Sequence, residues 1–598
     1  MVVMLKMRWL VLAALVGVVG GCVGAQTGGV PAREGKGFGT LSEGEIRTDL
    51  AFVASDKLQG RMSLSAGDDE AARWIAREFA KAGLKPIAAA GGPAGYMQPF
   101  ELIEYKPDRA ESSVTLTRAG QKTVFHAPQA FGAFRHAVDL TAPVVFAGYG
   151  ITAPELGYDD YKGLDAKGKI VLVFDHEPQE DDAKSIFNGT GNTRYATTRV
   201  KLLNAQAHGA VALMVVAEPN RKHLTNAERS ARIGGQSART VPLPIQAIAE
   251  DEVKIPSVTI DDATLALLMV TEAAPKGGTE AEFLQEGKEL AQRVQARIDK
   301  DLTITNFALP DTLLTLHLSN VSEKRGFTSN VAGLLEGSDP KLAAETVILS
   351  GHHDHDGATP CPAGVGGVDE LGKATAAGAD CLSVWHGADD NGSGTVGVVE
   401  LAKAFAANAA AGGPNARPKR SILFVVFASE ERGLLGSYWM AAHPVRPLAT
   451  TRAMINFDMI GRDEAASPQT DGLIEIPKDT TNRLNLIGAF YSPEYDRVVK
   501  EENARVGLVL DDRFDHESAL NVFFRSDQFP FVLKDVPAFW WFTGFHPDYH
   551  HITDTVEKID YVKMRKILQL AYLSAWRFGD DAKTPVFVAN PMPEGARR

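Results

Sequence analysis

A chain of 598 residues is too long for one ordinary domain and implies two or more. Its 44% hydrophobic and 23% charged residues are those of a folded soluble protein. A net charge of -13 argues against a nucleic-acid partner, which would need a basic surface.

The first element is a targeting segment. Lys6 and Arg8 precede an apolar run from Trp9 that ends in Val19-Gly20-Gly21-Cys22. A charged start, a short apolar stretch and small residues make an export signal. A cysteine after two glycines resembles a bacterial lipobox, which would lipidate Cys22 and leave residues 23–39 as a Gly-rich tether. The other reading is a plain signal peptide with Cys22 incidental. Either way the protein is expected to be exported, to the periplasm or cell envelope, and to meet the membrane only through that anchor.

Residues 40–110 carry a helix in "DEAARWIAREFAKAGLKP", with Ala71, Ala72, Ile75 and Phe79 at helical spacing and Gly83 and Pro86 to end it. Residues 111–272 change texture to short β-rich runs such as "GKIVLVFDHEP" and "GAVALMVVAEP", with one helix in "TTRVKLLNAQAHG". A connecting helix over 273–300 follows. Over 301–582 strands alternate with helices, which predicts an α/β domain with a mixed, mostly parallel sheet and helices on both faces. Residues 583–598 form a tail.

Four apolar runs in the α/β region matter: "TVILS" (346–350), "SILFVVF" (421–427), "AMINF" (453–457) and "PAFWWF" (537–542). Continuous apolar runs are expected of strands buried on both faces. Each leads into residues of catalytic type: "GHHDH", "ASEERG", "DMIGR" and "TGFHPDYHHITD". A fifth stretch, "HGADDNGSGTVGVVELAKAF", reads as a loop feeding a helix, with Asp389 and Asp390 at its start. Ligands of open α/β sheets bind beyond the carboxyl ends of the strands, so distant residues can converge there.

Histidines and carboxylates without cysteine suit zinc, with Mn²⁺ or Co²⁺ as alternatives. The set is large enough for two metals sharing one aspartate, roughly 3.5–4 Å apart. His352 reads as a ligand and Asp354, on the same side of an extended chain, as the carboxylate that orients it. His353 and His355 read as outside the ligand set. Of Glu430 and Glu431, one can bind metal while the other acts as general base.

Taken together, His352-x-Asp354, "GADDNGSG", "SEERGLLGS", "NFDMIG" and "DYHHITDT" resemble, in order and spacing, the di-zinc aminopeptidases of metallopeptidase family 28. The resemblance covers roughly residues 40–105 and 300–580. It implies a zinc-exopeptidase-like fold and two Zn²⁺ per chain. It implies His352 and Asp458 as terminal ligands on different metals, Asp390 as the bridge, Glu431 as a ligand and Glu430 as general base. It implies His550, rather than His551, as the last ligand, and a cis peptide after Asp390. Residues 111–272 resemble the protease-associated (PA) domain found inserted in some members.

The function so implied is an exported metallopeptidase acting on peptides through a metal-activated water, an aminopeptidase by preference. Carboxypeptidase or dipeptidase activity on the same scaffold stays open, with Arg525 and Arg462 as carboxylate-binding candidates. A glutaminyl cyclase or a receptor-like protein is the remoter alternative. Cys361 and Cys381 flank a Gly-rich loop and are expected to pair after export. Asp527 and Tyr549 are further candidates for orienting substrate or an oxyanion, and "FWWF" reads as core. Oligomeric state is not encoded in any feature of the sequence.

Overall fold

The computed structural model describes residues 35–589 except 128, 226–227, 229–238, 271–278, 370–372, 377, 379, 414–415, 518 and 521. Cys22, the signal segment and most of the tether lie outside the described residues. Among those described, no helix is long and apolar enough to cross a membrane.

Among the described residues, the larger of two main sheets has ten strands. Its centre is four parallel neighbours, in the order Ser421–Phe427, Thr346–His352, Thr451–Phe457 and Ala538–Phe542. These are the four apolar runs singled out in the sequence. Every residue of the first two is buried. Their side chains alternate between two cores: Ile422, Phe424 and Val426 face one, and Leu423, Val425 and Phe427 face the other. Burial of an aliphatic or aromatic side chain is worth about 1.5–3 kcal/mol, so a run that satisfies both cores is strongly held in the centre.

The first core is closed by the helices Ala66–Lys81, Gly394–Ala410 and Tyr561–Asp580, and the second by Leu435–Ala442 and Phe529–Val532. The parallel centre is flanked by antiparallel pairings on both sides, through Asn320–Leu335 and Met97–Pro107 on one and Arg483–Ile487 on the other. The sheet is therefore mixed; the strands that carry the site form a parallel block, and the edge pair Arg483–Ile487 and Val509–Asp511 is parallel as well.

The smaller sheet has eight strands among the described residues, and its own core. It includes the strand Asn306–Leu318, which the sequence reading assigned to the catalytic domain. That strand pairs antiparallel with Ser113–Arg118 and Val138–Ala147, and the helix Glu280–Asp301 buries Ala291 and Ile298 in the same core. The insert therefore extends to about residue 318, and the chain re-enters the larger sheet at Asn320. The alternation of Leu314, Leu316 and Leu318 predicts a strand but not its partner sheet. The reverse exchange also occurs: Ile245–Ile248, within the insert, pairs with Met97–Pro107 at the edge of the larger sheet.

Two further segments differ from expectation. Residues 35–39, read as tether, belong to a short helix Gly35–Thr40 packed on the catalytic domain. Phe38 sits 6.4 Å from Tyr572, and a Cβ on Gly37 would lie 2.3 Å from the Ala404 carbonyl oxygen, so only glycine permits that approach. The Gly-rich stretch after Asp356 is a small four-stranded sheet of two- and three-residue strands, too short to give a period. Cys361 and Cys381 are disulfide-bonded across it, with Cα atoms 5.4 Å apart.

Candidate metal centre

Each central strand delivers a side chain at its carboxyl end. His352 closes its strand, directly opposite Phe427 in the register. Glu430 and Glu431 follow Phe427 after a turn in which Ser429 has φ 59°. Asp458 follows Phe457. Asp390 lies in the turn ahead of the helix Gly394–Ala410, and the Asp390–Asn391 peptide is cis. Gly387 (φ 54°) makes room for this turn, since a Cβ there would lie 2.1 Å from the Asp390 carbonyl oxygen. His550 reaches in from the loop after Ala538–Phe542.

These side chains form two donor sets around a cavity of about 290 Å³. His352 Nε2 lies 3.6 Å from Asp390 Oδ1, 3.6 Å from Asp458 Oδ1 and 3.7 Å from Glu430 Oε2. His550 Nε2 lies 3.1 Å from Asp390 Oδ2 and 3.2 Å from Glu431 Oε2. His352 Nε2 is buried and has no hydrogen-bond partner, as befits a nitrogen whose partner is a cation. Asp390 thus gives one oxygen to each set. Two nitrogen and several oxygen donors without sulfur suit a pair of zinc-like ions.

Residues 330–574 match the family model of peptidase family M28, and residues 140–268 match the PA domain. The M28 match spans the four central parallel strands and both donor sets. A probable zinc metalloprotease of Pyrenophora teres f. teres is 31% identical over 177 residues, 28% of this chain and 32% of that protein. Leucine aminopeptidase 2 of Arthroderma otae is 29% identical over 166 residues, 28% of this chain and 29% of that one. The chain spans about a third of the length of the curated relatives it matches. Among solved structures, an aminopeptidase from Aneurinibacillus sp. strain AM-1 superposes with a TM-score of 0.45 at 18% identity, covering 91% of this chain and 95% of that one.

All five residues expected as ligands, and Glu430, meet in this site, but His352 and Asp458, expected on different metals, fall in the same donor set, 3.6 Å apart, because their strands are parallel neighbours that end side by side. Asp354 stands beside His352 as expected and has a second task. His352 Nδ1 is nearest the Asp354 backbone carbonyl (3.2 Å), and the carboxylate is 3.7 Å away. That carboxylate also accepts from the backbone N–H groups of Glu430 (2.9 Å) and Glu431 (3.2 Å), so it fixes the turn that aims both glutamates. His550 lies in the site, whereas His551 Nδ1 is 3.1 Å from Thr553 Oγ1.

Several supports escaped the sequence reading. Asp554 accepts from the N–H groups of Asp389 (3.0 Å) and Asp390 (3.1 Å). Ser526 donates to Asp458 Oδ2 at 2.6 Å and accepts from Asn456, which accepts in turn from Ser350. His355 Nδ1 lies 2.6 Å from Glu431 Oε1, leaving Oε2 toward His550. His355 thus fixes one oxygen of Glu431, and the two stand with Asp390 in one of the groups that could hold a metal. Fully buried Arg61 donates to the carbonyls of His353 (2.8 Å), His386 (2.7 Å) and Gly387 (3.0 Å), which ties the His352 loop to the Asp390 loop. Burial pulls its pKa down to about 10, against the opposing pull of Asp354 and Asp390. No motif marks Arg61 in sequence, because its partners are backbone atoms far along the chain.

The insert also reaches the site. Arg239 stacks over Trp385 at 4.2 Å and places Nη1 3.5 Å from Asp356 Oδ2. Asp356 is paired with Arg432 as well, and its Oδ2 is 3.6 Å from His550 Nδ1. A side chain of the insert is thus one carboxylate away from His550.

The remaining candidates separate. Trp541 is core, as expected of "FWWF", but Trp540 lines the cavity and donates to the Asp458 carbonyl at 2.9 Å. Tyr549 lines the cavity, its ring 4.0 Å from that of His550. Asp527 is fully buried within electrostatic reach of His352. Arg462 is held by Asp548 at 2.9 Å, whereas Arg525 lies in the cavity wall over Phe545.

Proposed function

We propose that the protein is a di-zinc aminopeptidase that hydrolyses the peptide bond after a free N-terminal residue. The observation that carries this reading is the division of Asp390, one oxygen toward His352 and the other toward His550. His352, Asp458 and Asp390 would hold one ion, and His550, Glu431 and Asp390 the other. When bound, the two ions supply Lewis-acid polarisation of the scissile carbonyl and a lowered pKa for a water molecule.

The chain's own residues do the rest. Glu430, at the cavity edge and held by Asp354 through its backbone, accepts the water's proton and returns one to the leaving amine nitrogen. The carboxylates around the cavity attract the substrate's ammonium group. Leu434, Met459, Phe524, Trp540 and Phe545 give the cavity apolar walls that suit an apolar N-terminal side chain.

Metal analysis of protein saturated with zinc should return two equivalents at the M28 site, as the difference between wild type and a chain carrying His352→Ala and His550→Ala. A difference of one equivalent would favour the single-metal chemistry of a glutaminyl cyclase. Carboxypeptidase activity remains the second reading because Arg525 offers a guanidinium to the same cavity.

We further propose that the protein is exported and anchored by a lipid on Cys22. Support comes from the charged, apolar and small-residue order of residues 1–22. Cys22→Ser should move the protein from the membrane fraction to the soluble fraction; an unchanged distribution would refute the anchor.

A further inference from the structure

None of the following residues belongs to the M28 site. In the smaller sheet the strands Ile170–Phe174 and Ala212–Val216 pair in parallel register, Phe174 beside Val216. The first runs on into His176 and Glu180. The second runs on into Glu218, and the chain then turns back to present His223. Their carboxyl ends open beside a cavity of about 970 Å³, the place where open α/β sheets bind ligands.

The four side chains face one another. His176 Nδ1 is 2.8 Å from Glu180 Oε1. His223 Nε2 is 3.1 Å from Glu180 Oε2 and 3.7 Å from Glu218 Oε1. The two imidazoles lie 4.0 Å apart, 9° from parallel. One ligand atom from each residue falls within 4.8 Å of all the others. Glu218 is only 2% exposed, yet neither of its carboxylate oxygens has a hydrogen-bond partner. A buried carboxylate left in that state is costly unless a cation compensates it.

We propose that His176, Glu180, Glu218 and His223 form a further metal site, which takes a divalent transition ion, zinc by donor type. Two imidazoles and two carboxylates are a four-coordinate nitrogen–oxygen set. Ligand atoms around a tetrahedral zinc stand about 3.3 Å apart, given bonds of about 2.0–2.1 Å. Contacts of 2.8, 3.1 and 3.7 Å already bracket that spacing, so small side-chain rotations complete the shell. Four protein ligands leave no open position, which makes the site structural rather than catalytic. It would staple the 176–180 segment to the 218–223 segment. The adjoining cavity is walled by Asp299 of the insert's long helix and by Gly472 and Leu473 of the M28 domain, so the staple stands where the two domains meet.

The competing state is an ion-pair cluster without metal, in which Glu180 bridges two protonated imidazoles. The full chain, stripped with chelator, reloaded with zinc and desalted, separates the two. Wild type should retain one zinc equivalent more than either His223→Ala or the isosteric Glu218→Gln, while both variants keep wild-type turnover. A chain with His352→Ala and His550→Ala should retain that same equivalent, so failure of the peptidase reading leaves this result standing. Crystals of zinc-loaded wild type should show an anomalous peak among the four side chains, a readout independent of whether a variant folds. Equal zinc in wild type and both variants, with no peak at the cluster, would overturn the site.

Discussion

Glu430→Gln is expected to leave zinc content and melting temperature unchanged and to lower kcat by about 10²–10⁴-fold. Glutamine keeps the shape of the side chain and cannot accept the water's proton. The electrostatics of the adjacent glutamates accord with the roles proposed for them. Burial pushes the Glu430 carboxyl well above the ordinary range, and Asp458 and Asp527 add to the shift, with His352 opposing it. Burial pushes Glu431 the same way, but His550 and His355 outweigh it and hold that carboxyl well below the range. Neighbouring carboxyls driven apart in this manner divide into one that trades protons and one that stays ionised as a ligand. The base must be deprotonated to act, so activity should fall as pH drops through the Glu430 titration, and that acid limb should disappear in the residual rate of Glu430→Gln. Turnover of an aminoacyl chromogenic substrate, measured beside metal content, checks this. If Glu431→Gln keeps both metals and loses all turnover, the two roles are exchanged.

Acetylation of the substrate's N-terminal amine is expected to abolish cleavage. Asp390, Glu430, Glu431 and Asp458 border one cavity, and an ammonium group enters a cluster of carboxylates with a Coulombic advantage that an acetamide lacks. The small disulfide-bonded sheet hangs beside this region: Trp385 N–H donates to the Gly357 carbonyl at 2.9 Å, and Thr240 of the insert donates to the Pro360 carbonyl at 2.9 Å. Walls of this kind exclude long internal segments and favour a chain end. Paired free and N-acetylated peptides, followed by mass spectrometry, decide the matter. Efficient release of the C-terminal residue from an acetylated peptide would establish the carboxypeptidase, and Arg525→Ala should then raise KM for it.

How much could be read in advance differs from element to element. The Thr346–His352 and Ser421–Phe427 strands were legible because burial on both faces demands uninterrupted apolar residues. The polar residues after them were legible because strand ends in such sheets face a common crevice. Asp354 was legible as the partner of His352 but not as the acceptor that holds the Glu430–Glu431 turn, since that second task runs through backbone groups. Arg61 and Asp554 were silent, because each acts through backbone groups that carry no side-chain signature.

The sequence by itself determined the order of strands and helices, the residue types of the M28 site and the His550-before-Asp554 spacing. These depend on local periodicity and on donor chemistry, both written along the chain. Only the tertiary structure decided what lies across space. It placed Asn306–Leu318 in the smaller sheet, divided the two oxygens of Asp390 between two histidines and brought Arg239 of the insert to Asp356. It also gathered His176, Glu180, Glu218 and His223 into one cluster. Sheet partners and side-chain directions follow from which buried surfaces and charges can be satisfied together. That is a property of the packed molecule, which no window of sequence contains.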